Sequence, residues 1–361
     1  MTWTAQDFQF MSRAIQLAKR GRYTCDPNPR VGCVVSRDNQ IISEGWHALA
    51  GEAHAEINAL NDCNDASGST VYLTLEPCSH HGRTPPCVEA LINMKVADVI
   101  IAMVDPNPLV AGSGIEKLEN AGISVKQGLL ELEAQKLNPG FIKRMTQHLP
   151  HTRCKMAMSL DGRTALANGE SQWISSELSR RDVHRLRAAS SAVLTSVETL
   201  IKDDASLNAR NLDTEFKQAA RVIVDRTLKT PDQAKIFSIS GQIIIYTEVD
   251  NDERIHALEK LGAEVVYLAK TDSWLNDVFM HLANEFEINE ILVEAGSTFS
   301  GALIEKGLID ELIVYMAPVL LGNDANPLVK LKQLEKLSEA KQLEIIDVRQ
   351  IGKDLRFTLT L

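Results

Sequence analysis

Short β-type runs alternate with helical runs along most of the chain, and a polar segment interrupts this alternation once, at residues 143–150. Strands that alternate with helices of this length fold into layered α/β domains. The chain has 361 residues, which is enough for about two domains of ordinary size. We therefore predict two α/β domains, residues 1–146 and residues 150–361.

The first half is predicted to begin with an amphipathic helix. Thr4 can cap this helix, its apolar residues recur at helical spacing up to Ala18, and Gly21 can end it. Two β-type runs on either side of residues 37–39 then indicate a hairpin. Strands and helices alternate from there to residue 128, which predicts a sheet covered by helices.

The second half is predicted to form a mostly parallel sheet. It begins with a β-type run at residues 152–160, and five more such runs between residues 191 and 296 are mostly separated by helical runs. Three β-rich runs then close the chain, with no clear helix between the last two. We expect antiparallel strands to complete this sheet, and the apolar run 355–361 to form an edge suitable for a homodimer.

The charge balance excludes some function classes. Lys and Arg number 38 against 48 Asp and Glu, a net charge of −10, which argues against general attraction to nucleic acid or to an anionic membrane surface. The apolar runs are shorter than the roughly 20 residues of a membrane-spanning helix, and the N-terminus lacks the pattern of a signal peptide. We expect a cytoplasmic protein that binds a small molecule through a local group of side chains.

Cysteines are sparse and unevenly distributed. The six are Cys25, Cys33, Cys63, Cys78, Cys87 and Cys154. In a reducing compartment they are core thiols or metal ligands rather than a disulfide framework. Because five of them precede residue 90, a metal site is expected in the first half.

One histidine and two cysteines of the first half have the pattern of a catalytic zinc site. His54 begins a predicted helix, and Cys78 and Cys87 flank the start of the next one. One imidazole and two thiolates leave the fourth position of a tetrahedral Zn²⁺ open to water. Glu56 can take a proton from that water and pass it to a leaving amine, which is the chemistry of hydrolytic deamination.

Each part of this pattern also has a simpler interpretation. A lone histidine at a helix start is usually a surface or capping residue, and two cysteines nine residues apart are usually unrelated thiols. Their combination with Glu56 favours a zinc site, although nucleobase deaminases separate the two cysteines by two residues and this chain separates them by eight. The inserted residues 80–84 place cationic and hydrogen-bonding groups at the mouth of the site.

The second half lacks the glycine-rich fingerprint of a standard dinucleotide fold. Glu294 lies at the end of a predicted strand, and Gly296, Ser297 and Thr298 begin the following helix. The N–H groups of a helix N-terminus favour phosphate. Strand-to-helix turns also use glycine and serine for geometry alone, so this pattern does not identify a ligand by itself.

Three motifs of the first half resemble the deaminase half of the bifunctional riboflavin-biosynthesis deaminase-reductase family. They are DPNPRVGCV at residues 26–34, AGEAHAEINAL at residues 50–60 and TLEPCSHHGRTPPC at residues 74–87. The resemblance implies that His54, Cys78 and Cys87 bind zinc, that Glu56 is the proton shuttle, and that the substrate is 2,5-diamino-6-(5-phosphoribosylamino)pyrimidin-4-one. It also implies that Asn28 and the loop of His80, His81, Gly82 and Arg83 help to hold the base and the phosphoribosyl arm, although a plain turn would also account for Asn28.

Most of the second half is similar to the reductase half of the same family. The matching segments are residues 155–175, 182–210 and 292–322. The resemblance implies an α/β chain with a cytidine-deaminase-like three-layer domain followed by a dihydrofolate-reductase-like domain that uses NADPH. The implied NADPH contacts are Ala157, Trp173, Thr199, Asp203, Gly296, Ser297, Thr298, Phe299, Ser300, Gly301 and Ala302, and the implied substrate contacts are Ser171, Arg187, Leu207, Arg210 and Glu294. This chain has Ala295 where many relatives have glycine.

Two arginines of the second half can bind the substrate phosphate. A guanidinium holds phosphate through two parallel hydrogen bonds, and Arg187 and Arg210 supply that group in an acidic protein. The residues around Arg187 on their own favour a solvated helix face, and Trp173 on its own is more often a core aromatic. Lys155 and Glu294 are both candidates for polarising the carbonyl that is reduced, and the sequence does not decide between them.

The leading interpretation is a bifunctional enzyme with one Zn²⁺ per chain and NADPH. It deaminates the pyrimidine and then reduces the ribosyl chain to give 5-amino-6-(5-phosphoribitylamino)uracil. One alternative is a zinc-dependent deaminase of another nucleoside or nucleotide with a non-catalytic second domain. Another is a structural zinc module that recognises RNA, but the chain lacks a basic stripe with interleaved aromatics and Glu56 would have no task in it.

Overall fold

The computed structural model describes residues 2–79, 86–108, 110–170 and 174–361. Contacts divide the chain into two compact units, Met1–His148 and Leu149–Leu361. Within the described ranges, no helix combines the length and the apolar character needed to span a membrane.

The first unit is a sheet with helices packed against it. Its elements are α1 (Ala5–Ala18), β1 (Gly32–Arg37), β2 (Gln40–Trp46), α2 (Ala55–Asn61), β3 (Thr70–Leu73), α3 (Cys87–Asn93), β4 (Asp98–Ile101), α4 (Ser113–Asn120), β5 (Ser124–Gln127), α5 (Glu131–Gln135) and α6 (Pro139–Gln147). The strand order is β2-β1-β3-β4-β5. β1 is antiparallel to both of its neighbours, whereas β3, β4 and β5 are parallel.

The predicted first helix is confirmed, but its predicted end is wrong. Thr4 and Asp7 form a capping box in which each side chain accepts a hydrogen bond from the other residue's backbone N–H. The α-helix stops at Ala18, and Gly21 lies in the 3₁₀ turn that follows. A Cβ at Gly21 would stand 2.5 Å from the carbonyl oxygen of His47. Glycine is therefore required there by the close approach of two backbones.

The predicted hairpin of β1 and β2 is also confirmed. Its two turn residues, Asp38 and Asn39, have φ angles of 50° and 58°. Two consecutive left-handed residues match the type I′ turn that fits the twist of a two-residue hairpin, and Asp and Asn adopt that conformation more readily than other non-glycine residues.

The second unit is built on a larger sheet. Its elements are β6 (His151–Ser159), β7 (Arg163–Ala165), α7 (Glu177–Ala188), β8 (Ala192–Ser196), α8 (Val197–Asp203), β9 (Ala220–Val224), β10 (Ile243–Thr247), α9 (Asp252–Glu259), β11 (Ala263–Tyr267), α10 (Trp274–Glu285), β12 (Glu290–Val293), α11 (Ser297–Glu305), β13 (Glu311–Ala317), β14 (Asn326–Pro327), β15 (Glu344–Ile351) and β16 (Asp354–Thr360). The order of the large sheet is β11-β10-β9-β8-β12-β6-β13-β16-β15, and β7 pairs separately with β14.

The large sheet is mostly parallel and ends in antiparallel strands, as predicted. The strands from β11 to β13 are parallel, and β16 and β15 complete the sheet as an antiparallel pair. Every residue of β8, β9, β10 and β12 is buried, as expected for parallel strands covered on both faces. The loops after β6, β12, β8, β9 and β10 therefore open at one edge of the sheet.

Two sequence expectations on organisation differ from the structure. The polar segment at residues 143–150 is not wholly a linker, because α6 continues to Gln147. The run 355–361 is not a free edge, because β16 pairs with β13 on one side and with β15 on the other. The alternating apolar residues of this run therefore lie in a strand inside the sheet, and β15 is the edge strand.

Candidate active sites

Three side chains of the first unit meet in one cluster. His54 occupies the N-cap position of α2 without a capping side-chain hydrogen bond, Cys78 lies in the segment after β3, and Cys87 begins α3. His54 Nδ1 lies 3.2 Å from Cys87 Sγ and 3.6 Å from Cys78 Sγ, and one ligand atom from each residue lies within 4.8 Å of the others. The two helix starts and the strand end thus bring together the residues that the sequence singled out.

The cluster has the dimensions of a zinc site. Zinc binds sulfur at about 2.3 Å and nitrogen at about 2.0–2.1 Å. At a tetrahedral angle, a sulfur ligand and a nitrogen ligand of the same zinc ion therefore lie about 3.6 Å apart. Hydrogen bonding from the Cys87 thiol lowers the pKa of Cys78 well below its usual value, and the Cys87 N–H also donates to Cys78 Sγ, at 3.3 Å. A thiolate is therefore favoured at the position where a metal ligand is needed.

Glu56 lies in the first turn of α2 and is 3% exposed. Burial raises the pKa of its carboxyl from the usual 4.5 to about 7. A carboxyl with a pKa near neutrality can both accept and release a proton. Its position beside the cluster is suited to proton transfer.

His47 is a residue of this site that the sequence analysis missed. Its Nδ1 donates to the carbonyl oxygen of Ala53, at 3.1 Å, so its Nε2 is the acceptor for the Asn28 side-chain amide, at 3.0 Å. The His47 ring also meets the His54 ring edge to face, with centroids 5.3 Å apart. Asn28 is therefore held beside the cluster through His47. A plain turn would not need this contact, and no local sequence pattern indicates it.

Glu76 was also missed, and it fixes the segment that carries Cys78. This carboxylate is 4% exposed and accepts backbone N–H bonds from Asp105, Gly112 and Gly114, at 3.1, 3.0 and 2.8 Å. A Cβ at Gly114 would stand 2.4 Å from the carbonyl oxygen of Pro77. The start of α4 is thus packed directly against the Cys78 segment. The predicted loop of residues 80–83 lies outside the described residues.

The second unit contains a cavity of about 1350 Å³ at the carboxyl edge of its sheet. Most of the predicted NADPH and substrate residues line it, namely Ala157, Arg187, Thr199, Asp203, Leu207, Arg210, Glu294, Gly296, Ser297, Thr298, Phe299 and Ala302. Lys155, Ala295 and His184 line it as well. Ser171 and Trp173 lie outside the described part of the chain.

Two residues of the predicted cofactor segment face away from this cavity. Ser300 is fully buried and its hydroxyl donates to the carbonyl oxygen of Ala295, at 3.4 Å. A Cβ at Gly301 would stand 2.0 Å from the carbonyl oxygen of Lys330. Both residues lie on the side of α11 that packs against the rest of the unit. A helix can present only one face to a ligand, so consecutive residues of α11 cannot all contact the cofactor.

Gly296 has a different role from Gly301. It caps α11 with a φ of −69°, which any residue can adopt, and a Cβ there would meet only Thr199 Oγ1, at 3.7 Å. Packing therefore does not require glycine at position 296. The missing side chain leaves the N-terminus of α11 open to the cavity, where N–H groups can bind phosphate.

Arg187 does not lie on a solvated helix face. Its Nε and Nη2 donate to the two carboxylate oxygens of Glu294, at 2.5 and 3.0 Å, and the two side chains are only 14% and 11% exposed. Its Nη1 donates to the carbonyl oxygen of Asn208, at 3.0 Å. The arginine is thus fixed at the wall of the cavity by partners that are distant in sequence.

These charges set the protonation of the site. Burial by itself would raise the pKa of Glu294, but the charges of Arg187 and Lys155 lower it to about 2. Lys155 Nζ lies 3.8 Å from Glu294 Oε2. Burial and the charges of Arg187 and Arg210 lower the pKa of His184 to about 4. Near neutral pH, Glu294 is therefore an anion and the His184 ring is uncharged.

Comparison with known protein families gives two matches. The family described as "RibD C-terminal domain" matches residues 150–357, and the family described as "Cytidine and deoxycytidylate deaminase zinc-binding region" matches residues 4–103. The matched ranges contain the two candidate sites.

Curated proteins similar to this chain extend over its whole length. Riboflavin biosynthesis protein RibD of Escherichia coli (strain K12) is 46% identical over 363 residues, which cover 97% of this chain and 98% of that protein. Riboflavin biosynthesis protein RibD of Haemophilus influenzae is 42% identical over 372 residues, which cover 100% of this chain and 99% of that protein.

Solved structures agree with these relatives. Acinetobacter baumannii RibD, form 1, has a TM-score of 0.93 at 43% identity and covers 98% of each chain. A diaminohydroxyphosphoribosylaminopyrimidine deaminase/5-amino-6-(5-phosphoribosylamino)uracil reductase from Thermotoga maritima has a TM-score of 0.86 at 32% identity and also covers 98% of each chain. The predicted fold class, a cytidine-deaminase-like domain followed by a dihydrofolate-reductase-like domain, is confirmed.

Proposed function

Because this chain belongs to the RibD family of bifunctional riboflavin-biosynthesis deaminase-reductases, we propose a task for each of its two sites. Zinc and NADPH are the cofactors of the two activities. Residues 1–146 deaminate 2,5-diamino-6-(5-phosphoribosylamino)pyrimidin-4-one, and residues 150–361 reduce its ribosyl chain. The observation that carries this proposal is the cluster of His54, Cys78 and Cys87 with the buried Glu56 beside it.

In the deaminase site, His54, Cys78 and Cys87 hold the metal. Zinc, when bound in such a site, makes water a nucleophile at neutral pH. Glu56 accepts a proton during attack on the pyrimidine and delivers it to the departing amino group, which leaves as ammonia. Asn28, oriented by His47, positions the pyrimidine for this transfer.

In the reductase site, the open N-terminus of α11 binds a phosphate of the dinucleotide. NADPH, when bound, supplies the hydride. Glu294 is kept ionised by Arg187 and Lys155, so it has no proton to give near neutral pH. Lys155 is therefore the group that supplies the proton to the ring oxygen when the ribosylamine opens to its C=N form, whose carbon takes the hydride to leave a ribitylamine, and Glu294 holds the Lys155 ammonium in place.

The assembly and location form part of the same proposal. Strand β15 exposes Ile345, Ile346 and Val348 at the edge of the large sheet, and an apolar edge of this kind supports a homodimer. All six cysteines are free thiols, in keeping with a reducing cytoplasm. The binding partners are small molecules rather than nucleic acid or a membrane.

Two assays on the purified protein test the proposed activities. With the diaminopyrimidine substrate alone, we expect release of one ammonia per substrate and no further change. Adding NADPH should then give its oxidation in equal amount. Ammonia release with no NADPH oxidation would instead support a deaminase with a non-catalytic second domain, an alternative disfavoured by the buried charges of Lys155, Arg187 and Glu294 in the cavity.

Arg210→Ala is expected to raise the KM for the phosphorylated reductase substrate by about 10- to 150-fold, because a charged hydrogen bond contributes about 1.5–3 kcal/mol. Arg210 is exposed and lines the cavity, whereas the charge of Arg187 is already matched by Glu294. The KM for a dephosphorylated substrate analogue should change little. An equal rise in KM for the two substrates would show that Arg210 has a structural role.

Two glycine substitutions in α11 are expected to act differently. Gly301→Ala should destabilise the second unit by about 1–3 kcal/mol, because the added methyl group overlaps the backbone of Lys330. Gly296→Ala should cost less than about 1 kcal/mol and weaken NADPH binding instead. Denaturant unfolding and NADPH titration of both variants measure the difference, and equal destabilisation would contradict the open position assigned to residue 296.

A further inference from the structure

Asn138 occupies the N-cap position of α6, but its side chain does not cap that helix. Asparagine at such a position usually accepts a hydrogen bond from the second or third N–H of its own helix. The α6 N-cap makes no side-chain hydrogen bond of this kind. Because Asn138 is only 5% exposed, its polar atoms need partners elsewhere in the protein.

Both polar atoms of the Asn138 amide bind the backbone of Arg30. Oδ1 accepts a hydrogen bond from the Arg30 N–H, at 2.7 Å, and Nδ2 donates to the Arg30 carbonyl oxygen, at 2.9 Å. Arg30 Nη1 also donates to the carbonyl oxygen of Leu137, at 2.6 Å. The amide thus pairs with Arg30 as a neighbouring strand would, across 108 positions of the sequence.

Arg30 is joined to Asn28 through a single proline, Pro29. The ring of a proline fixes its own φ angle, and the residue before a proline is restricted to extended conformations. Few rotations are therefore available between Asn28 and Arg30. A shift of the Arg30 backbone moves Asn28 with it.

The same segment also fixes the partner of Asn28. The carbonyl oxygen of Val31 accepts a hydrogen bond from the His47 N–H, at 3.0 Å, and His47 Nε2 accepts from the Asn28 amide, at 3.0 Å. Arg30 lies between Asn28 and Val31 in the chain. The two hydrogen bonds of Asn138 therefore support both sides of the contact between Asn28 and His47.

We infer that Asn138 is a positioning residue of the deaminase, which holds Asn28 in the orientation that binds the pyrimidine. This inference rests on the proposed deaminase function. Asn138 acts on the substrate through Asn28, which His47 orients. Without the Asn138 amide, the N–H and carbonyl groups of Arg30 lose this partner, and the Asn28 amide is no longer held at a fixed place beside Glu56.

A double-mutant cycle on ammonia release tests this role. Asn138→Ala is expected to lower kcat/KM by about 10- to 100-fold, because a small misplacement of a substrate-binding group has an effect of that size. In a protein that already carries Asn28→Ala, the same substitution should lower kcat/KM by less than about twofold, since the two residues act as one unit. Zinc content and NADPH oxidation with the deaminated substrate should match the wild type.

Nuclear magnetic resonance gives a readout that does not depend on turnover. In protein carrying a nitrogen isotope label at the asparagine side-chain amides, the Asn28 signal is identified by its absence from Asn28→Ala. We expect Asn138→Ala to shift or broaden this signal. Asn138→Asp has the shape of asparagine and loses only the donor to the Arg30 carbonyl, so it replaces Asn138→Ala in both measurements if the alanine variant does not fold.

Ser69→Ala is the matched control for a loss of stability. Ser69 is fully buried and its hydroxyl donates to the carbonyl oxygen of Ala66, at 2.6 Å, so this variant also removes a buried hydrogen bond from side chain to backbone. Ser69 precedes β3, whereas Cys78 follows that strand. The variant should unfold at a lower denaturant concentration and keep the wild-type ammonia release and Asn28 signal.

Three results would overturn the assignment. They are a loss from Asn138→Ala that is the same with and without Asn28→Ala, an unmoved Asn28 signal in folded Asn138→Ala, and a comparable loss of ammonia release in Ser69→Ala. A wild-type protein that releases no ammonia would contradict the proposed function instead, and the Asn28 signal would still decide whether Asn138 holds that residue.

Discussion

Glu56→Gln is expected to reduce ammonia release by about 100- to 10,000-fold, the usual contribution of a positioned general acid–base group. The amide preserves the shape of the side chain and cannot carry the proton. NADPH oxidation with the deaminated substrate should stay near the wild-type rate, because the residues assigned to it lie in the second unit. The two rates are measured separately on the same preparation.

Glu119→Gln provides the control for this variant, because it removes an exposed carboxylate of the same unit. It should leave both rates unchanged. The zinc content of Glu56→Gln should equal that of the wild type, since Glu56 is not assigned as a ligand. If a folded, zinc-loaded Glu56→Gln protein lost both activities, the model of two independent sites would be wrong.

Cys87→Ala is expected to lose the zinc ion together with the deaminase activity. Two protein ligands would remain from a set of three, which is too few for a stable catalytic zinc site. Elemental analysis should find about one zinc per wild-type chain and much less in the variant. Reduction of the deaminated substrate should persist.

Cys63→Ala is the matched cysteine control. Cys63 is a partly exposed free thiol of the same unit, and its Sγ contacts the carbonyl oxygen of Asp65 rather than the cluster. We expect it to keep both zinc and activity. Stoichiometric zinc in Cys87→Ala would show that the ligand assignment is incorrect.

Local patterns were sufficient to predict many of the elements of this protein and the chemistry at the ends of some of them. The capping box at Thr4, the hairpin turn at Asp38 and Asn39, and the strand end at Glu294 are each encoded within a few residues. His54, Cys78 and Cys87 were recognised because they begin or precede helices at a characteristic spacing, and the structure brings them together.

Contacts between distant segments could not be predicted in the same way. Arg187 pairs with Glu294 across 107 positions, whereas the helical pattern around Arg187 by itself favours solvent exposure. His47 acts on Asn28 through one ring nitrogen, and nothing in the sequence around either residue specifies that hydrogen bond. Gly21 is required by a backbone from another element, so its position in the sequence suggested the wrong role.

The backbone donors gathered on Glu76 limit how the first unit can be redesigned. Residues 105–114 depend on an acceptor that belongs to the chain segment carrying Cys78. A loop of different length or shape grafted between β4 and α4 would leave the buried carboxylate without some of its donors, which costs about 1–3 kcal/mol or more for each unsatisfied group. Glutamine at position 76 is no substitute, because its NH₂ group would face N–H donors. A redesign of this loop must therefore keep its geometry or exchange the Glu76–Cys78 segment along with it.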